Sequence, residues 1–134
     1  MEWWGENRGM TYEESLSSVK ELAYILHRIP EKFRTFELCY AAVIGMGWTL
    51  RHVPEKHKTP EMCLAAVAQD GQALLYVPHP TLKICLKAVR QNGWALNLVP
   101  EELKAPEVCL AAIAQDGRAL QFSPYSILEL LSLA

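Results

Sequence analysis

Four glycine–proline pairs set in register constrain this chain more than any other feature. Gly47-Trp48-Thr49-Leu50 leads to Pro54, and Gly71-Gln72-Ala73-Leu74 leads to Pro78. Gly93-Trp94-Ala95-Leu96 leads to Pro100, and Gly117-Arg118-Ala119-Leu120 to Pro124, so each pair is seven residues apart. Cys39, Cys63, Cys85 and Cys109 each stand eight residues before the glycine, stepping by 24, 22 and 24. A half copy, Leu26-His27-Arg28-Ile29-Pro30, opens the series and parallels Leu50-Arg51-His52-Val53-Pro54. A fixed internal period of this length is the mark of a stacked-repeat architecture.

A longer period of 46 overlies the short one. Thr59-Pro60-Glu61-Met62-Cys63-Leu64-Ala65-Ala66-Val67-Ala68-Gln69-Asp70-Gly71 nearly recurs at Ala105 to Gly117. The alternate units share a tryptophan after the glycine, Trp48 and Trp94, where the others carry Gln72 and Arg118.

Each unit predicts a short helix. Thr35, Thr59 and Thr81 stand four residues before their cysteines, where a hydroxyl accepts from the open amides of a new helix. Ala105 lacks that cap. Pro60 and Pro106 suit the first helical position, and Glu37, Glu61 and Glu107 suit the positive end of the helix dipole. The helix runs about ten residues to the glycine, which is expected to end it in the left-handed conformation. Met62, Cys63, Ala66 and Val67 form one apolar stripe, repeated by Leu38, Cys39, Ala42, Val43, by Ile84, Cys85, Ala88, Val89, and by Val108, Cys109, Ala112, Ile113. Leu50, Leu74, Leu96 and Leu120 close the layer from the following turn. One unit cannot bury such a stripe alone, whereas a stack can.

The expected fold is therefore all-α: a helical-repeat solenoid of about four to five units of 22–24 residues, each a ten-residue helix plus a short helical turn. The units fall at about 35–58, 59–80, 81–104 and 105–126, in a single domain over 11–134. A capping helix segment at 11–34 begins with the Thr11–Glu14 capping box, and a second capping helix, at 124–134, starts from Ser123-Pro124. Residues 1–10 read as a flexible arm.

These units resemble the bacterial tandem repeats known as domain of unknown function 4116. The resemblance rests on Asn92-Gly93-Trp94-Ala95-Leu96-Asn97-Leu98-Val99-Pro100 and its copies, over about residues 26–126. The copy at 35–58 departs from it, with Gly45-Met46 where the others have Gln-Asp or Gln-Asn. What the resemblance implies is a helical interaction scaffold of bacterial or phage-associated proteins. It implies no catalytic activity.

Composition narrows the function classes. A net charge of -2 gives no broad pull toward phosphate backbones or anionic membranes. No apolar run approaches the ~20 residues that span a bilayer. Met1-Glu2-Trp3-Trp4-Gly5 lacks the form of a secretory signal, so a cytoplasmic, reducing location is expected, although export by an unmarked route is compatible with it. The four cysteines lack the close pairs that zinc needs, and read as small core residues. Asp70, Asn92 and Asp116 read as local hydrogen-bonding residues beside the glycines. His27, His52, His57 and His79 have neither ligand spacing nor a nucleophile beside them. No cofactor, metal or catalytic residue is expected.

The expected function is binding to a protein partner by a non-enzymatic adaptor or inhibitor. The position after each glycine accepts Gln72 and Arg118, hence it is at least partly exposed, and Trp48 and Trp94 there are candidate anchors. A basic edge of Arg28, Lys32, Arg34, Arg51, Lys56 and Lys58, with His52 beside it, is the candidate for nucleic-acid contact. A third alternative is self-assembly, with dimerisation through the apolar last helix and its Ile127, Leu128, Leu130, Leu131 and Leu133.

Overall fold

The computed structural model describes residues 11–21 and 23–133. The arm predicted at 1–10 lies outside the described residues. Five ten-residue helices follow one another: α1 Tyr12–Glu21, α2 Phe36–Gly45, α3 Pro60–Gln69, α4 Leu82–Gln91 and α5 Pro106–Gln115. Each is followed by a six-residue 3-10 helix: Ala23–Arg28, Gly47–His52, Gly71–Tyr76, Gly93–Leu98 and Gly117–Phe122. A short α6, Ile127–Leu133, comes last. Each α-helix packs on the next, and each 3-10 helix on the next, giving two parallel rows.

The segment 11–34, expected as a cap, is a complete unit with its own α-helix and 3-10 helix. The difference between 24- and 22-residue units also has a structural cause. The longer units carry an extra three-residue 3-10 turn, Glu31–Phe33, Glu55–His57 or Glu101–Leu103. The shorter ones replace it with a bend at Pro78-His79 or Pro124-Tyr125.

The helices start as the sequence predicts. Thr35, Thr59 and Thr81 accept from the amides of Leu38, Met62 and Ile84, and Ala105 makes no such bond. Thr11 and Glu14 form their reciprocal box at 2.9 and 3.1 Å. The last helix starts later than expected, because Ser123 bonds locally to Tyr125. Its cap is a second box, between Ser126 and Glu129 at 3.0 and 3.1 Å.

The helix ends differ from expectation. None of Gly45, Gly47, Gly71, Gly93 or Gly117 is left-handed. The stop is made by the residue before the glycine: Met46, Asp70, Asn92 and Asp116 are extended, with φ near -150° and ψ near 110°. Three of the glycines are needed for a different reason. A β-carbon on Gly47, Gly71 or Gly93 would overlap the carbonyl oxygen of Ala66, Ala88 or Ala112 in the next helix. The backbone of one unit thus rests directly on the backbone of the next, an approach that a side chain forbids.

A glutamine seals each of these joints. Gln69 Oε1 accepts from the Gly47 amide at 2.5 Å, Gln91 from Gly71 at 2.6 Å, and Gln115 from Gly93 at 2.5 Å. The amide that the tight approach would strand in the interior is thereby satisfied.

The core is the predicted stripe. Leu38, Cys39, Ala42 and Val43, and their counterparts in the next two units, are buried, with Leu50, Leu74 and Leu96 across from them. Each buried leucine stabilises the stack by roughly 1.5–3 kcal/mol. At the α6 end Ile113 and Leu120 are only partly covered. Leu130 is the one residue of α6 that is buried.

Candidate functional site

The row of 3-10 helices positions most of the candidate residues. Asp70, Asn92 and Asp116 each accept, at 3.0 Å, from the amide two residues on, that of Gln72, Trp94 or Arg118. These carboxylates and the carboxamide therefore cap the 3-10 helices. On those three steps the cap fixes the residue after the glycine, Gln72, Trp94 or Arg118; Met46 makes no such bond, and Trp48 holds the equivalent position by the repeat alone. A line of equivalent positions, His27, Arg51, Leu75, Asn97 and Gln121, is exposed throughout, and Leu75 is 62% accessible.

The two tryptophans have different surroundings. Trp94 is half-buried against the following unit: its indole N–H donates to Asp116 Oδ2 at 3.0 Å. Phe122 meets it edge-on at 5.3 Å, and the Arg118 guanidinium lies 5.4 Å over its ring. Arg118 is itself paired with Asp116 at 2.9 Å. Hydrogen bonds from Arg118 to the carboxylate, with that from Trp94, hold the Asp116 carboxyl down at about 2. Trp94 and Arg118 thus fasten one unit to the next. Trp48 is also half-buried, with its ring 6.2 Å from that of His52, but its indole N–H has no acceptor among the described residues.

The basic edge divides into cations that face inward and cations that face outward. Arg34 donates to the carbonyls of Ile29 at 2.8 Å, His27 at 2.9 Å and, across the joint, His52 at 3.3 Å. Lys58 pairs with Glu55 at 3.1 Å, its side chain largely covered. Lys104, at the same place two units on, reaches both Glu101 and the Phe122 carbonyl. These three close the long units. Arg28, Lys32, Arg51 and Lys56 remain exposed, Lys32 over Phe33 and Arg51 over Tyr76. The rings of His27 and His52 lie 5.1 Å apart. Burial first, and then the charges of His27, Arg51 and Arg34, depress the His52 pKa.

All four cysteines are free thiols in the core. Burial pushes Cys39 and Cys85 up to about 11 and raises Cys63 as well, which leaves little thiolate for chemistry. Among the described residues no group of three or more His, Cys, Asp or Glu side chains is placed to hold a metal ion. No described helix is long and apolar enough to cross a membrane.

Two exposed features escaped the sequence reading. One is Leu75, hidden because an exposed leucine and a core leucine look alike in a short apolar turn. The other is a groove between α3 and α4 lined by Leu64, Leu82, Lys83, Leu86, Lys87 and Arg90. Its signal was available in the repeat itself. Lys83 stands where the other units have Glu13, Glu37, Glu61 and Glu107, and Lys87 where they have Ser17, Ala41, Ala65 and Ala111.

Searches of the curated proteins and of the solved structures return no match. The family profile described as Domain of unknown function (DUF4116) matches twice in tandem, over residues 59–104 and 82–128. Each match spans two of the structural units, in keeping with the 46-residue superperiod, and together they cover more than half of the sequence. The chain belongs to the DUF4116 family.

Proposed function

We propose that this chain is a non-enzymatic protein-binding module, an adaptor or inhibitor of bacterial or phage origin, which recognises its partner through the row of 3-10 helices. The observation that carries the reading is the contrast between the inside and the outside of one ladder. The buried places keep one chemistry: an apolar residue (Leu38, Met62, Ile84 or Val108), then cysteine, then alanine, with Val43, Val67 and Val89 after them. The exposed line varies along the stack, from the nitrogen-bearing His27 and Arg51, through the apolar Leu75, to the carboxamides Asn97 and Gln121. A rigid scaffold that holds its core fixed and varies its outer side chains suits recognition of an extended surface. Trp48, whose indole N–H meets no acceptor among the described residues and whose ring lies against His52, is the natural anchor. Gln72 and Leu75 extend the contact, whereas Trp94 and Arg118 serve the joint first.

The test is affinity capture by the full chain from its host, followed by direct binding of the recovered protein. The Trp48→Ala, Arg51→Glu, Leu75→Ser triple variant should lose that partner while keeping its helical spectrum. Undiminished binding by the folded variant would refute the assignment of the surface. A nucleic-acid partner held by Arg28, Lys32, Arg51 and Lys56 would instead show affinity falling steeply with salt.

A second reading, self-assembly, draws on α6, where Ile127, Leu128, Leu131 and Leu133 are all exposed. Sedimentation decides it: association that Leu128→Glu, Leu131→Glu abolishes supports pairing through this helix, and a monomer at high concentration excludes it.

A further inference from the structure

We infer that the groove between α3 and α4 is a docking site for an acidic amphipathic helix of a partner protein. The floor is apolar, built from Leu64 of α3 and from Leu82 and Leu86 of α4, in a groove of about 620 Å³. Lys83, Lys87 and Arg90 stand along it, all three exposed. They are four and three residues apart, one stripe of an α-helix about 10 Å long.

The stripe is peculiar to α4. Arg90 takes the place of Lys20, Ile44, Ala68 and Ala114, just as Lys83 and Lys87 replace glutamates and small residues. None of these substitutions serves the stack, because the joint of α4 is made by Gln91, Ala88 and the buried Ile84, Cys85 and Val89, as it is by their counterparts in α3 and α5. Among the described residues no carboxylate pairs with Lys83, Lys87 or Arg90. The one repeat helix without an acidic residue therefore carries three unpaired cations beside three leucines.

Charge and shape together select the occupant. An amphipathic helix lays its apolar face into such a groove, with anchors at helical spacing. Acidic residues at i, i+4 and i+7 on the edge of that face would meet Lys83, Lys87 and Arg90 in turn. A nucleic-acid strand would use the cations and leave the leucine floor wet, and the chain as a whole is acidic, with a net charge of -2. This site uses α3 and α4 only, and stands apart from the 3-10 row proposed as the recognition surface above.

The experiment uses the full chain as bait for a phage-displayed library of helix-forming peptides randomised in charge and apolar content. Enriched sequences should carry Asp or Glu at i, i+4 and i+7 beside Leu, Ile or Phe. A synthetic copy should bind with amide shifts centred on Leu64, Leu82 and Leu86. The Lys83→Glu, Lys87→Glu, Arg90→Glu variant changes only exposed side chains and should weaken binding by about tenfold or more. The Trp48→Ala, Arg51→Glu, Leu75→Ser variant should bind the peptide unchanged, which separates this site from the ridge. The proposal fails if no such sequence is enriched, or if the charge-reversed protein binds equally well. It also fails if a single-stranded oligonucleotide or an anionic phosphatidylserine vesicle displaces the peptide at equal charge concentration.

Discussion

Ala23 and Gly45 face each other across the first joint of the stack with their sizes exchanged relative to every later joint. Ala23 stands where Gly47 stands one unit on, and Gly45 stands where Gln69 does. A β-carbon on Gly45 would come 3.0 Å from that of Ala23. The methyl group of one partner thus occupies the space that the missing side chain of the other leaves. This explains why the unit at 35–58 departs from the family pattern at Gly45. The pair is therefore coupled. Gly45→Gln alone should destabilise the protein by about 1–3 kcal/mol, and adding Ala23→Gly should recover most of the loss. A double-mutant cycle in urea measures it, and additive losses would show that the exchange of sizes has no energetic meaning.

The glycine series contains its own control. Gly71→Ala and Gly93→Ala push a β-carbon into the backbone of the next helix, and should each cost about 2–3 kcal/mol. The same change at Gly117, which has nothing within 4 Å, should be neutral or slightly stabilising, by up to about 0.5 kcal/mol. Melting temperatures of the three variants decide the matter. Equal losses at all three would mean that backbone conformation, and not close approach, selects the glycine.

Ser15 occupies in the first unit the place of Cys39, Cys63, Cys85 and Cys109. It is fully buried, and its hydroxyl has no hydrogen-bond partner among the described residues. An unpaired buried hydroxyl costs free energy that a thiol or methyl group does not. Ser15→Cys and Ser15→Ala should therefore each stabilise the fold, by about 1 kcal/mol. A fall in the urea midpoint would indicate that the hydroxyl is satisfied in solution.

Acid should weaken the joint between the first two units through His52. Its pKa is depressed in the folded state, so on acidification the unfolded chain takes up a proton that the folded chain resists. Stability from this source is complete above the unfolded value of 6.5 and declines as the pH falls through the lower folded value. His52→Asn should flatten the dependence of the urea midpoint on pH between about 7 and 5. An unchanged slope would place the titration elsewhere.

Much of the architecture was legible without coordinates. The threonine caps, the ten-residue helices, the apolar stripe built around cysteine and alanine, and the order of the units all follow from local chemistry repeated at a fixed step. Capping and helical periodicity act within one turn, so a sequence displays them directly. The mistaken details were also local. The left-handed glycine and the start of the last helix at Ser123 were inferences from usual partners, and here other partners took those roles.

What only the tertiary structure decided concerns neighbours one unit apart. That Gly71 is kept for contact with the Ala88 carbonyl, that Gln91 seals its amide, and that Trp94 is held by Asp116 while Trp48 is not, depend on separations of about twenty residues. The same holds for the groove, where Leu64 joins Leu82 and Leu86 only because α3 lies against α4. Periodicity tells which face of a helix is apolar, because that depends on angles about its own axis. It does not tell which side chain of the next unit fills a given space, because the distance and offset between helices are set by packing.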